Sequence, residues 1–156
     1  DTSDELLGGE QRVRGLELSA TGSITKEWTV IASYTYQDSE VTKALGDDIS
    51  QIGNELARTP KNSASVWTTY DVSEQLSFGV GAQYLDERYN GFTSTRSRAG
   101  GYTIFDFMVA YDVSKDLSLQ LNGENLGDKD YVDQLGGGHF VPGSGRKFSL
   151  TASYSF

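Results

Sequence analysis

Two arginines separated by one serine, Arg96 and Arg98, lie in the small-residue run NGFTSTRSRAGG (90–101), with Tyr89 and Phe92 shortly before them. Guanidinium groups carry fixed charge in a planar fork of donors and also stack on aromatic faces. The grouping suits a charged or aromatic partner; a solvated loop with ordinary surface charge is the competing reading. His139 and Phe140 follow a triple glycine in the run 126–145, and His139 is the only histidine. A metal site needs further ligands at workable spacing, which a lone imidazole does not supply. No metal site is expected, and a loop contact to neighbouring strands is the plainer role for this pair. Asp47 and Asp48 have carboxylates that suit a hard cation, but nothing nearby completes a calcium loop, so they read as solvated surface. There is no nucleophile elbow, no phosphate-cradling glycine loop and no histidine pair, and no enzymatic activity is expected.

These candidates sit between segments that alternate. Seven are legible, roughly 11–24, 28–42, 62–72, 76–89, 102–113, 117–125 and 146–156. In the fourth, Leu76, Phe78, Val80, Ala82 and Tyr84 share one parity against Ser77, Gly79, Gly81 and Gln83. The last, FSLTASYSF, sets Phe148, Leu150, Ala152, Tyr154 and Phe156 against Ser and Thr. Successive strand residues face opposite ways, so each segment has one apolar and one small, polar face. Short polar connections (SITKEW, VSEQLS, VSKDLS) alternate with long ones near 43–61, 90–101 and 126–145. Outer-membrane barrels combine short periplasmic turns with long external loops. Loops of that length without structure of their own are usually functional or disordered.

Composition agrees with strands that are apolar on one side only. Of 156 residues, 37% are hydrophobic while 12% are aromatic, with 18 glycines and two prolines; mean hydropathy is −0.44. No apolar run is long enough for a membrane helix, which does not bear on a barrel. A net charge of −9 argues against a nucleic-acid partner, and the absence of cysteine excludes disulfides. The start, DTSDELLGGEQ, lacks the features of a signal peptide. A soluble β-barrel holding an apolar ligand would also alternate. Aromatic strand ends at Trp28, Tyr36, Tyr84 and Phe156, polar opposite faces with Glu17, Asp106 and Glu124, and long strands favour lipid. A spanning sheet must close, and an antiparallel ring needs an even strand count. Seven strands therefore suggest the C-terminal part of a larger barrel, or a small self-contained barrel whose eighth strand lies near Asp1.

The segment RVRGLELSATGSITKEWTVIASYTYQDSEV, the phrase RTPKNSASVWTTYDV and the tract GYTIFDFMVAYDVSKDLSLQLNGENLGDKDYVD resemble the last strands of TonB-dependent outer-membrane receptors. The ending GGGHFVPGSGRKFSLTASYSF resembles their catecholate-siderophore branch, of the Fiu kind. The resemblance implies an all-β, antiparallel up-and-down transmembrane barrel of 22 strands, of which about the last seven are visible. Residues 1–9 would be a loop end or disordered start and residues 10–156 the C-terminal barrel portion, without the plug. It implies no cofactor, a ferric siderophore as ligand, and the bilayer, TonB and the plug as partners. Ligand contacts would come from the external loops, with Tyr89, Phe92, Arg96, Arg98, His139 and Phe140 as candidates. Asn125 and Gly127 of NLGDKDY read as a strand exit and turn.

Overall fold

The computed structural model describes residues 8–91, 96–137 and 139–156. The strands are β1 (Glu10–Ser23), β2 (Trp28–Lys43), β3 (Asn62–Asp71), β4 (Leu76–Leu85), β5 (Arg88–Asn90), β6 (Ser97–Ala99), β7 (Tyr102–Asp112), β8 (Leu117–Glu124), β9 (Val132–Gly136), β10 (His139–Pro142) and β11 (Lys147–Tyr154). A 7-stranded antiparallel sheet runs in the order β1-β2-β3-β4-β7-β8-β11, with β1 and β11 as its open edges. Two excursions from one end form separate hairpins, β5 with β6 and β9 with β10. The expected strand 76–89 is therefore divided: β4 stops at Leu85, and Arg88–Asn90 opens a hairpin. The break is marked in the residues themselves: the apolar parity ends at Tyr84, and Asp86, Glu87 and Arg88 are three charged residues in a row.

Register converts each strand's parity into a continuous face. One row of paired residues runs Gly22, Val30, Thr68, Val80, Phe107, Gly123, Phe148. The next row, on the other face, includes Thr21, Ile31, Trp67, Gly81 and Asp106. A one-residue slip at any pairing would mix the two faces, so the alternation itself specifies the register. Gly79 and Gly81 make room for the Trp67 ring on the polar face; a Cβ on Gly81 would stand 2.4 Å from it. On the apolar face Gly123 similarly admits Phe107, which packs toward Phe148 with ring centroids 6.2 Å apart.

The three similar turns close in the same way. The hydroxyl of Thr25 accepts from the Glu27 and Trp28 amides at 3.2 Å. Ser73 does so for Gln75 and Leu76, and Ser114 for Asp116 and Leu117. The shared Ser/Thr position thus supplies a local acceptor that ends one strand and starts the next. Ser155 donates its amide to the Asp116 carbonyl at 2.9 Å, so the last strand finishes at the short-turn end. The long connections leave from the opposite end and are structured: besides the hairpins, Gly46–Gln51 forms a 3-10 turn in which Gln51 donates to Asp48.

Among the described residues the buried hydrophobics are Val41 and Ala99. Side chains of the apolar face stay exposed, with Leu18 at 56%, Phe105 at 52% and Leu150 at 70%. A soluble sheet would cover such a face; a membrane wall presents it to hydrocarbon. Leu121 and Gln120 are neighbours on β8 with opposite parity. Leu121→Arg is expected to cost roughly 2–4 kcal/mol, the depth-dependent cost of an arginine on the lipid face, while Gln120→Arg stays near neutral. Refolding titrations in lipid vesicles would measure both.

Candidate functional site

The candidate residues come together at the long-loop end through backbone and arginine contacts. Segment 44–61 is pinned to the outer part of β2: Gly53 donates to the Val41 carbonyl at 2.9 Å, Val41 donates to Asn54, and the Ser39 hydroxyl accepts from Leu56. The same segment reaches the first hairpin, where the Arg58 amide donates to the Tyr89 carbonyl at 2.8 Å. Arg58 holds a left-handed backbone there, at φ 64. Arg88 then links the two hairpins, donating to the Val132 carbonyl at 2.6 Å and the Asp133 carbonyl at 2.9 Å. It is 8% exposed, and its Nε finds no partner among the described residues.

The last long loop is organised by Asn125, which is 3% exposed. Its side-chain amide donates to the carbonyls of Lys129 and Ser144 and accepts from the Lys129 amide, all at 2.9 Å. Its own amide donates to Asp106 on the polar face of the wall. The strand-exit role of NLGDKDY is therefore a hydrogen-bonded node. Tyr131 stacks on Tyr102 at 4.3 Å, and Gly143 gives that ring its room.

Two groups of candidates result. Within the first, the Arg96 guanidinium lies 3.8 Å over the Tyr89 ring and donates to the Glu55 carbonyl at 3.1 Å, with the Glu55 carboxylate at 3.8 Å. Arg98 is ion-paired with Glu87, which also accepts from the Tyr89 hydroxyl at 2.9 Å. That hydrogen bond, with burial adding to it, pushes the Tyr89 phenol above its ordinary range, so it remains a donor at neutral pH. Phe92 lies outside the described residues.

The second group is an open groove of about 430 Å³ in which His139 and Phe140 face Arg58, with Gln134 and Leu135 along the side. Phe140 is 65% exposed. Arg58 makes no side-chain hydrogen bond or ion pair among the described residues. The groove thus combines a guanidinium that no described carboxylate pairs with an exposed aromatic face, a combination suited to an anionic, aromatic ligand. Reading the chain in one dimension missed Arg58, Glu55 and Glu87, because each is singled out only by what folds beside it.

Residues 3–126 match the family described as TonB dependent receptor-like, beta-barrel. The chain belongs to the TonB-dependent receptor β-barrel family. The siderophore receptor PiuA of Acinetobacter baumannii is 37% identical over 95% of this chain, and the catecholate siderophore receptor Fiu of Escherichia coli K12 is 36% identical over 95%. Their crystal structures superpose with TM-scores of 0.84 over 92% of this chain for PiuA and 0.83 over 95% for the closed form of Fiu. The chain spans 21% of PiuA and 20% of Fiu by sequence, and 22% and 21% of the corresponding structures. TonB-dependent receptors are bacterial outer-membrane barrels, so the apolar face of this segment meets outer-membrane lipid, and the soluble barrel is not favoured. The relatives are named as receptors rather than enzymes.

Two measurements test the outer-end architecture of this TonB-dependent receptor segment. Arg88→Met removes two charged hydrogen bonds to carbonyls and is expected to cost about 3 kcal/mol of local stability. Protease cleavage within 126–145 should accelerate while the wall strands stay protected. Asp86, just beyond β4, accepts from Asn62 at 2.9 Å, which holds its carboxyl below the usual range. A depressed folded pKa adds stability above the unfolded value, about 3.9, and that stability is lost as pH falls through the folded value. Protection factors of the amides around Asn62 and Glu87, referenced to the intrinsic exchange rate at each pH, are therefore expected to fall below about pH 4, and Asp86→Asn to abolish that fall.

Proposed function

We propose that this segment is the C-terminal part of a 22-stranded, plugged barrel that binds a ferric catecholate siderophore outside the cell and imports it with energy relayed through TonB. Residues 10–156 form wall and loops in this reading. The plug and the TonB-engaging segment belong to the remainder of the receptor. The part carried by this chain is recognition, without catalytic chemistry and without a bound cofactor.

The observation that supports it best is the convergence of Arg58, His139 and Phe140 in one groove beside the Tyr89–Arg96 stack. Ferric catecholates are anionic with flat aromatic rings at their surface. Guanidinium charge and aromatic faces answer both properties. The relative Fiu is named as a catecholate siderophore receptor, and PiuA as a siderophore receptor.

In the intact receptor, Arg58→Gln and Phe140→Ala are each expected to weaken binding of a ferric tris-catecholate by about tenfold, the loss of roughly 1.4 kcal/mol. Tryptophan-fluorescence quenching titrations would read this. Unchanged affinity in both variants would remove the groove from the ligand site. Growth on the ferric catecholate as iron source should stop when TonB is deleted; growth that continues would sink the transport reading.

A further inference from the structure

The geometry points to Glu55 and Glu87 as placeholder carboxylates: they occupy the Arg96 and Arg98 guanidiniums until an anionic ligand displaces them, and so set how much negative charge a ligand needs to bind. This inference rests on the ligand reading above and adds a specificity device to it.

Both loop arginines are already satisfied inside the protein. Arg98 pairs with Glu87, and Arg96 sits between Glu55 and the Tyr89 ring. Arg58, next to Tyr89 through its amide, makes no such pairing among the described residues. The ligand groove therefore holds one guanidinium that no described carboxylate occupies, and the neighbouring hairpin holds two that are occupied.

The two pairs differ in how firmly they are held. The Arg98 side chain is 61% exposed and that of Glu87 34%, so solvent screens the pair and exchange for another anion is cheap. Arg96 is only 16% exposed and also donates to the Glu55 carbonyl, an acceptor that keeps its place when the carboxylate leaves. Arg96 can thus stay seated on Tyr89 while Glu55 swings away.

A carboxylate of unit charge is a weak competitor for a ligand carrying several charges and an adequate one for a singly charged ligand. The cost of displacing the carboxylate is the same for every ligand, while Coulomb attraction scales with the product of the charges, so a multiply charged ligand repays that cost and a singly charged one barely does. Glu87 is also tied to Tyr89, whose hydroxyl donates to it at 2.9 Å. Its departure frees that hydroxyl to donate to a ligand oxygen.

The test uses the intact receptor, with a ferric tris-catecholate as the multiply charged probe and free 2,3-dihydroxybenzoate as the singly charged one. Glu87→Gln and Glu55→Gln are each expected to tighten the ferric complex and the free benzoate alike, by about threefold, since the cost of breaking the ion pair is the same for either ligand. The gain from Glu87→Gln should vanish in an Arg98→Gln background, since no guanidinium is left to release. Asp133→Asn removes the same charge from the hairpin that Arg88 holds by backbone carbonyls, and is expected to change little. Unchanged or weaker binding in Glu87→Gln, an equal gain in Asp133→Asn, or a gain that persists without Arg98 would each overturn the placeholder role. Should Arg98→Gln and Arg96→Gln both bind the ferric complex like the parent, the arginines lie outside the ligand site and the placeholder role falls with them. Should those two lose affinity while both glutamine variants stay at parent affinity, the ligand reading stands and the placeholder role alone falls. Electrophoretic heat-modifiability of each variant separates binding defects from misfolding.

Discussion

A peptide group in hydrocarbon has no water to bond to, and the wall of this protein is organised by that fact. Each strand satisfies its amides and carbonyls on its neighbours, so the sheet has to run edge to edge without a gap. Pairing of that kind fixes parity across the wall. One apolar row and one polar row then follow from β1 to the closing strands. The aromatic residues at strand ends, the exposed leucines and the scarcity of buried side chains are consequences of the same constraint. Conventional core packing is not required, because lipid and lumen replace the two sides of a core.

Outside the membrane the constraint lifts, and side-chain hydrogen bonds take over. The buried polar residues Ser39, Arg88 and Asn125 all lie at or beyond the outer ends of strands, and each is bonded to backbone. Burying such groups is costly unless they are paired, and here the pairing joins segments far apart in sequence. Arg88 reaches across 44 residues to Val132. The loops consequently form a connected platform on which charged and aromatic side chains are presented, with Arg58 and Phe140 on one side and the Tyr89–Arg96 stack on the other.

Much of the wall was legible before any coordinates. Six of the seven expected strands stand close to their limits, and the three turns repeat because VSEQLS and VSKDLS place a serine where SITKEW has threonine. The strand expected over 76–89 ends at Leu85 instead, where the charged run Asp86, Glu87, Arg88 interrupts the alternation before the hairpin begins. Long loops, read as structureless, contain hairpins whose short strands are held by contacts with other loops. Gly79 and Gly81 leave room on the polar face for Trp67 of the adjacent strand, a contact that spacing along the chain does not show.

Period-two alternation, turn chemistry and end aromatics are local properties, so sequence alone determined the strands, their faces and the solvent each face meets. The candidate site is not local. Whether Arg96 stacks on Tyr89, whether Glu87 claims Arg98 and whether Arg58 faces His139 and Phe140 depend on how three outer loops lie against one another. Only the tertiary structure decided those pairings, because the distance between charges in space, rather than their spacing along the chain, sets which of them interact.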